Sequence, residues 1–547
     1  MEEDLLRDAR LTADLLLEGA EVVDGTGGPP FRADVVVAGD QIVAVGVAGR
    51  VDAARRIHAE GLTLTPGFVD AHGHSDIAVL SAPDSPSKIH QGVTTEVMGN
   101  CGLGVAPFGR SVTPSELRKL MTIVDADPSV EWNWRSVAEY LDVVRIRGTA
   151  MNVTLLAGHL PIRASCVGYE DRRATGAELH AMQSRVDEAL DDGACGLSTG
   201  LMYPPCTYAD VDELVALGEV VAEHDAVFAF HMRDYGDQLL GAVEEALLVA
   251  RRTGCRAQLS HLVAVGRRNW GKVSVALDLV DRAVDDGIDV AVDVYPYLAG
   301  STNLAQVLPE WALAGGTSAL LERLADASAR QRLVHDLRQS ILQDPEDIRI
   351  AGGVFDGQDN PVGLSLADLA EAWDESPQEV VLDVLADSNC TASMVAFGRG
   401  EDDLRAALRH QRCLIGSDGL GLDPEGPTGA GQPHPRSYGC YPRLLSRYVR
   451  DEAVIRIEDV VRRSTSLIAQ RFRIPDRGVV APGYRADLVL FDLASLADRA
   501  SFEEPHRFPD GVSTVIVGGE VVVDGGEATG ARPGEVLEPL IAGGAPP

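Results

Sequence analysis

Residues Pro66 to Asp76 read PGFVDAHGHSD. A short apolar run, Leu62 to Val69, ends at Asp70, and two histidines follow one residue apart, His72 and His74. Residues two apart on a strand share a face, so a strand ending at Asp70 presents both imidazoles side by side at its C-terminal tip. Two neutral imidazoles aimed the same way are half of a metal site. A bare His-x-His is more often a pair of polar loop residues. The apolar strand before this one, and the residues that arrive later in the chain, favour the metal.

Working outward, the middle of the chain alternates short apolar runs with helical periods. Eight runs read as strands, at about 64–69, 93–98, 152–157, 194–197, 226–230, 256–260, 289–294 and 412–416. Between them Leu179 to Asp191, Val211 to His224, Leu239 to Thr253 and Val273 to Asp286 carry apolar residues at three- and four-residue spacing. Repeated βα units of this kind predict a TIM-type (β/α)8 barrel, whose chemistry sits at the C-terminal ends of its strands. The tips bear this out as a pattern. Asn100 and Cys101 follow the second run, His159 the third, and Ser198 and Thr199 the fourth, shortly before Tyr203. The fifth ends at His231, the sixth at His261, the seventh in Asp293 and Tyr295, and the eighth at Asp418. Five of the thirteen histidines fall at these tips, which scattered surface histidines would seldom do.

Both ends of the chain read differently. Leu15 to Val23, Ala33 to Ala38 and Gln41 to Val45 are strand-like, and so are Ala486 to Phe491, Ser513 to Val517 and Glu520 to Val523, with Gly-rich turns between. The expectation is one small β-sandwich domain built from residues 1–65 and 475–547, flanking a catalytic barrel over 66–474. Residues 531 to 547, rich in Gly, Pro and Ala, are expected to be partly disordered. The interval from about 298 to 411 is too long for a simple connection. Its helical patterns predict an inserted helical subdomain over about 298–390, placed to act as a lid. Met394 to Phe397 is strand-like and competes for a place in the barrel.

Composition excludes some partners. A net charge of -35 argues against nucleic acid and against an anionic membrane surface. No apolar run reaches the roughly 18 residues needed to span a bilayer. The eight cysteines are scattered without CxxC spacing, and MEEDLLRDAR lacks the form of a secretory signal, so a cytoplasmic protein with reduced thiols is expected. Oligomeric state is left open.

The tips support a definite chemistry. A thiolate and imidazoles suit zinc. Cys101, His231 and His261 suit one tightly bound ion. His72, His74 and Asp418 suit a second ion or simply line the pocket. Asp418 suits the general base and acid of a metal-assisted hydrolysis of a C–N bond. Arg436, in PHPRSYG, offers the bidentate fork that a small carboxylate substrate needs. Tyr295, Tyr297 and Ser301 offer hydroxyl donors, and His159 and Tyr203 are further substrate-binding candidates. Taken singly, Cys101 reads more often as a small core residue than as a ligand, Asp418 can be a turn residue before Gly419, and Arg436 reads first as a surface ion pair.

Together GFVDAHGHSD, GNCG, GLSTGLMYPP, HMRD, QLSH, YPYLAGST, GSDG, HPRSYG and DRGVVAPGYRADLVLFD resemble the amidohydrolase superfamily, in its N-acyl-D-amino-acid deacylase (D-aminoacylase) branch. The resemblance runs from about residue 13 to about 535. It implies a distorted TIM barrel beside a small β-sandwich made from both chain ends. It implies that Cys101, His231 and His261 bind a catalytic zinc, that His72 and His74 form a weaker second site with Asp418, and that Asp418 is the catalytic acid and base. It also implies that Arg436, with tyrosine and serine from YPYLAGST, holds the carboxylate of an N-acyl amino acid.

Two features depart from the branch. A long Gly-rich segment, GLGLDPEGPTGAGQP, separates Asp418 from the HPR motif. After His261 the chain runs Leu262-Val263, where relatives that favour acidic substrates resemble one another in carrying a lysine. An unpaired carboxylate is costly to bury, so an apolar side chain on the substrate is expected. The competing activities are a cyclic-amide hydrolase of the hydantoinase or dihydropyrimidinase kind, an unusual dipeptidase, and a non-catalytic amidohydrolase-like scaffold. A bridging lysine in place of Cys101 would favour the first, and lost metal ligands the last.

Overall fold

The structure is a computed structural model, and it describes residues 11–46, 51–355 and 360–540. Among these, eight parallel strands form one sheet in chain order: β1 (Phe68–Asp70), β2 (Val93–Met98), β3 (Asn152–Gly158), β4 (Gly196–Gly200), β5 (Val227–His231), β6 (Arg256–Leu259), β7 (Val290–Val294) and β8 (Cys413–Ile415). Their residues are buried on both faces apart from the first of β6, which is why they read as near-continuous apolar runs rather than alternating ones. Between them the helices Gly176–Asp191, Val211–Glu223, Leu239–Thr253 and Lys272–Asp285 cover the outside. Each turns its apolar stripe inward, and Thr175 with Glu178 closes a capping box on the first. The fold is the expected distorted (β/α)8 barrel.

The first expected strand, 64–69, is divided in two. Thr63–Pro66 belongs to the terminal sheet, and only Phe68–Asp70 belongs to the barrel. Gly67 lies between them, where an added Cβ would fall about 2.2 Å from the Thr94 side chain. The barrel closes without a regular ladder between β1 and β8. Instead Asp418 N–H donates to His72 O at 2.7 Å and His74 N–H to Gly419 O at 2.9 Å, just past the strand tips. Gly416 permits this approach, since a Cβ there would lie 2.5 Å from the His72 Cβ.

Strands from both chain ends meet in one nine-stranded sheet among the described residues. The junction is antiparallel, Leu488–Phe491 against Thr63–Pro66. Val51–His58, which the sequence pattern did not mark, is a strand parallel to Leu11–Val22. Its charged, largely exposed residues hide the period that marks the others. Residues 531–540, expected to be partly disordered, pack against the barrel: Gly534 N–H donates to Thr149 O at 2.8 Å and Leu537 N–H to Val153 O at 2.8 Å. Residues 541–547 lie outside the described part.

The insertion after β7 carries helices, including Gly316–Ala325, Ala327–Ser340, Leu366–Trp373 and Pro377–Asp387, around a core of its own. It also carries a three-stranded antiparallel sheet of Ala299–Asn303, Ser393–Phe397 and Ile348–Gly352. The run that competed for the barrel, Met394 to Phe397, is the middle strand of that sheet. No helix among the described residues is long and apolar enough to cross a membrane.

Asp487 ties the terminal sheet to the barrel. Its buried carboxylate accepts from Arg477 Nε at 2.9 Å, Asn152 Nδ2 at 2.9 Å and Gly518 N–H at 2.7 Å. Its loss would leave Arg477 with only the half-exposed Glu535 at 2.7 Å and the Asn152 and Gly518 donors without their acceptor. Asp487→Ala is therefore expected to destabilise the protein by about 3–5 kcal/mol, read as a lowered urea midpoint, with Asp487→Asn costing less.

Candidate metal centre and substrate cavity

The C-terminal tips of the barrel open into a cavity of about 610 Å³. Cys101, from the β2 tip, sits at its floor between three imidazoles. Its Sγ lies 3.3 Å from His231 Nδ1, 3.5 Å from His261 Nε2 and 3.3 Å from His72 Nε2. The ligand atoms of Cys101, His231 and His261 form one cluster, each within 4.8 Å of the others, and those of His72, His74, Cys101 and Asp418 form a second. Cys101 is common to both.

The electrostatics suit a cation. Burial drives His231 down to about 3 and, with His231 beside it, holds His261 well below the usual histidine range. Burial also lowers His74, against the opposing pull of Asp418. These rings are neutral, with lone pairs available to a metal. Burial alone would lower His72 too, but Cys101, Asp293 and Asp418 outweigh it and hold that ring well above the usual value. Burial raises the Cys101 thiol, which a bound cation would deprotonate. The Asp418 carboxyl stays well below the ordinary range: burial opposes this, and Arg436 and His72 prevail.

Three of these residues hold left-handed backbone conformations that side chains rarely adopt: Cys101 at φ 57°, His261 at φ 34° and Asp418 at φ 52°. Each turns the chain sharply off its strand and aims the side chain inward. Asp293 on β7 supports two of the imidazoles. Its Oδ1 accepts from His261 N–H at 2.7 Å and lies 3.2 Å from His72 Nδ1, and its Oδ2 accepts from Gln258 Nε2 at 2.9 Å. The sequence placed Asp293 at a strand tip without assigning it this role.

Asp418 stands between the cluster and the rest of the cavity. Its Oδ1 is 3.0 Å from His74 Nε2 and 3.6 Å from His72 Nε2. Its Oδ2 pairs with Arg436 Nη1 at 2.7 Å, and that same nitrogen donates to the Tyr295 hydroxyl at 2.6 Å. The long Gly-rich segment does not displace Arg436; it folds along the cavity, which Leu420, Leu422 and Thr428 line. Tyr203 and Ser301 line it too, and the Tyr203 hydroxyl shares a hydrogen bond with Thr302 Oγ1 at 3.0 Å.

Two expected substrate contacts are placed elsewhere. His159 is fully buried off the cavity, bonded to Thr199 Oγ1 at 2.9 Å and Glu213 Oε1 at 3.0 Å. The Tyr297 hydroxyl donates to Asp498 Oδ2 at 2.8 Å, with its ring behind the cavity against His434. Both follow strand tips in sequence, but a carboxylate on a neighbouring element claims each polar end. Lys88 offers no bridging group at the cluster, because it is buried against Asp70 at 2.6 Å and Glu96 at 3.1 Å. Two residues of the site went unread. Tyr235 packs edge-on to His231 and donates its hydroxyl to Ser260 O at 3.2 Å; its signal was its place four residues past His231. Arg399 enters the cavity from the insertion, near no motif. The apolar pair Leu262-Val263 and the Arg399 guanidinium stand differently to the cavity. Leu262 is buried away from the cavity, Val263 lines it, and a guanidinium shares it.

Groups that orient metal ligands are typically worth about 10–100-fold in affinity. Asp293→Ala is expected to weaken zinc retention by roughly that factor in chelator competition. Tyr297→Phe, outside the cavity, is expected to leave it unchanged.

Residues 55–523 match the amidohydrolase family. D-aminoacylase of Alcaligenes xylosoxydans xylosoxydans is 34% identical over 528 residues, covering 96% of this chain and 97% of its own. The crystal structure of an N-acyl-D-glutamate deacylase from Bordetella bronchiseptica superposes with a TM-score of 0.80 at 33% identity, covering 97% of this chain and all of that one. It holds zinc and a phosphonate inhibitor that mimics the tetrahedral intermediate of the reaction. A D-aminoacylase structure with a TM-score of 0.80, 34% identical and covering 96% of this chain and 100% of its own, is described as having a binuclear metal centre, with one-metal activation and second-metal attenuation.

Proposed function

The chain belongs to the amidohydrolase family, and from that premise we propose that it hydrolyses the amide bond of N-acyl-D-amino acids with zinc, releasing a carboxylic acid and a D-amino acid. One observation carries the reading. In a single buried cavity Asp418 bridges a thiol–imidazole cluster on one side and the Arg436 guanidinium on the other. That juxtaposition suits an amide whose substituent ends in a carboxylate.

The donor set fits zinc: one thiol and several imidazoles, most of them kept neutral, with convergent ligand atoms. In our reading Cys101, His231 and His261 hold one ion tightly, and His72 and His74 with Asp418 make a weaker second site. When bound, zinc polarises the scissile carbonyl and lowers the pKa of water toward about 7. Asp418 Oδ1 takes the proton of the attacking water and returns it to the leaving nitrogen. Arg436, Tyr295 and Ser301 hold the substrate carboxylate, and Tyr203 closes that side of the cavity. Because Arg436 is already paired with Asp418, the substrate carboxylate competes for that guanidinium as it enters.

The barrel over 66–474 carries this chemistry, the terminal sheet scaffolds it, and the insertion roofs the cavity. Eight free thiols fit a reducing cytoplasm.

The test is amine release by zinc-loaded enzyme from matched N-acetyl D- and L-methionine. Release from the D-form alone is expected. Asp418→Asn should lose on the order of 10²–10⁴-fold in kcat, while its content of the tightly bound zinc, read by metal analysis, is retained. Arg436→Met should raise KM about 10–100-fold, as loss of a charge-assisted contact does. Zinc bound without release from either enantiomer, and without release from N-acetyl-D-glutamate or N-succinyl-D-methionine, would overturn the reading.

A further inference from the structure

A second guanidinium stands in the cavity, and the reaction above does not use it. Arg399 follows the Ser393–Phe397 strand of the insertion. Its guanidinium carbon lies 4.9 Å from the centroid of the Tyr295 ring, and that of Arg436 lies 4.6 Å from the same centroid. The backbone makes room for it. A Cβ on Gly300 would fall 2.4 Å from Arg399 Nη2, so the glycine leaves room for the guanidinium where it stands.

What distinguishes Arg399 is its lack of an acid. Arg436 has Asp418 at 2.7 Å, but among the described residues no carboxylate lies within ion-pair reach of Arg399. Its Nη1 is buried without a hydrogen-bond partner. The chain has 83 acidic against 48 basic residues, so partners are plentiful elsewhere. A buried guanidinium N–H without an acceptor is costly, and of the arginines with such a nitrogen Arg399 is the one that lines the cavity, where an arriving anion can supply the acceptor. One fork satisfies one carboxylate, and a second fork on a different element adds capacity for another.

We propose that Arg399 receives a second carboxylate on the substrate, carried by the D-side chain or by the acyl group. This rests on the deacylase reading and supplies the cation that Leu262 does not.

The test compares kcat/KM of zinc-loaded enzyme for two isosteric pairs: N-acetyl-D-glutamate against N-acetyl-D-glutamine, and N-succinyl- against N-succinamoyl-D-methionine. In at least one pair the carboxylate member should be favoured about 10–100-fold, and which pair it is identifies the source. That ratio should fall toward one in Arg399→Met and survive in part in Arg399→Lys. A wild-type ratio within about twofold of one for both pairs, which needs no variant, overturns the proposal. So does a ratio that persists in Arg399→Met, or an equal loss on both members of a pair, which would mean that Arg399 serves the common α-carboxylate. Hydrolysis without carboxylate preference leaves the deacylase reading standing. No hydrolysis of any member, nor of N-acetyl-D-methionine, overturns both.

Discussion

The site depends on one buried carboxylate. Asp70 ends β1, and its Oδ1 accepts from Ser417 N–H at 2.7 Å and from His72 N–H at 3.2 Å. Its Oδ2 accepts from Lys88 Nζ at 2.6 Å and from Ser417 Oγ at 2.5 Å. Strands β1 and β8 share no regular ladder, so this carboxylate does much of the work of closing the barrel. His72 and His74 leave β1 and Asp418 leaves β8. The spacing of Asp418 and the two imidazoles is therefore set beneath the cavity, by a group that never enters it. Burial works against the Lys88 charge, but Asp70 and Glu96 together outweigh it. Unpaired, either charge would be strongly destabilising.

Above that link the backbone is bent against its own preference. Positive φ at Cys101, His261 and Asp418 costs on the order of 1–3 kcal/mol at each non-glycine residue. Fixed neighbours offset it. Asp293 holds the His261 amide, the His72 carbonyl holds the Asp418 amide, and Ser198 Oγ accepts from Gly102 N–H at 2.9 Å beside Cys101. A strained turn returns its side chain to one place, which a metal cluster requires. The conformation that disfavours these residues is the one that makes them converge.

The charge of the whole molecule does not decide which charges stand in the site. The chain carries -35, and the cavity holds the two guanidiniums of Arg436 and Arg399 along with the carboxyl groups of Asp418, Asp125 and Asp234. At physiological ionic strength the acidic surface is screened beyond about 8 Å. Inside the cavity solvent screening is weaker, and on the reading proposed above Arg436 and Arg399 select the anions held there. Global charge excludes polyanionic partners without excluding a small carboxylate.

Legible in the sequence alone were the repeat of βα units, the strand tips, and the gathering of Cys101, His72, His74, His231, His261 and Asp418 at those tips, in two groups that share Cys101. These follow from local rules: a two-residue period, a helical period, and the position of a residue relative to the end of its strand. Only the tertiary structure decided which tip residues point inward. His159 and Tyr297 sit where a tip rule expects substrate contacts, but Glu213 and Asp498, from distant segments, claim their polar groups. Arg399 reaches the cavity from the insertion, whose pairing of Ala299–Asn303 with Ser393–Phe397 joins segments nearly a hundred residues apart. No local pattern encodes such a contact, because it arises from the packing of one element on another and not from the period of either.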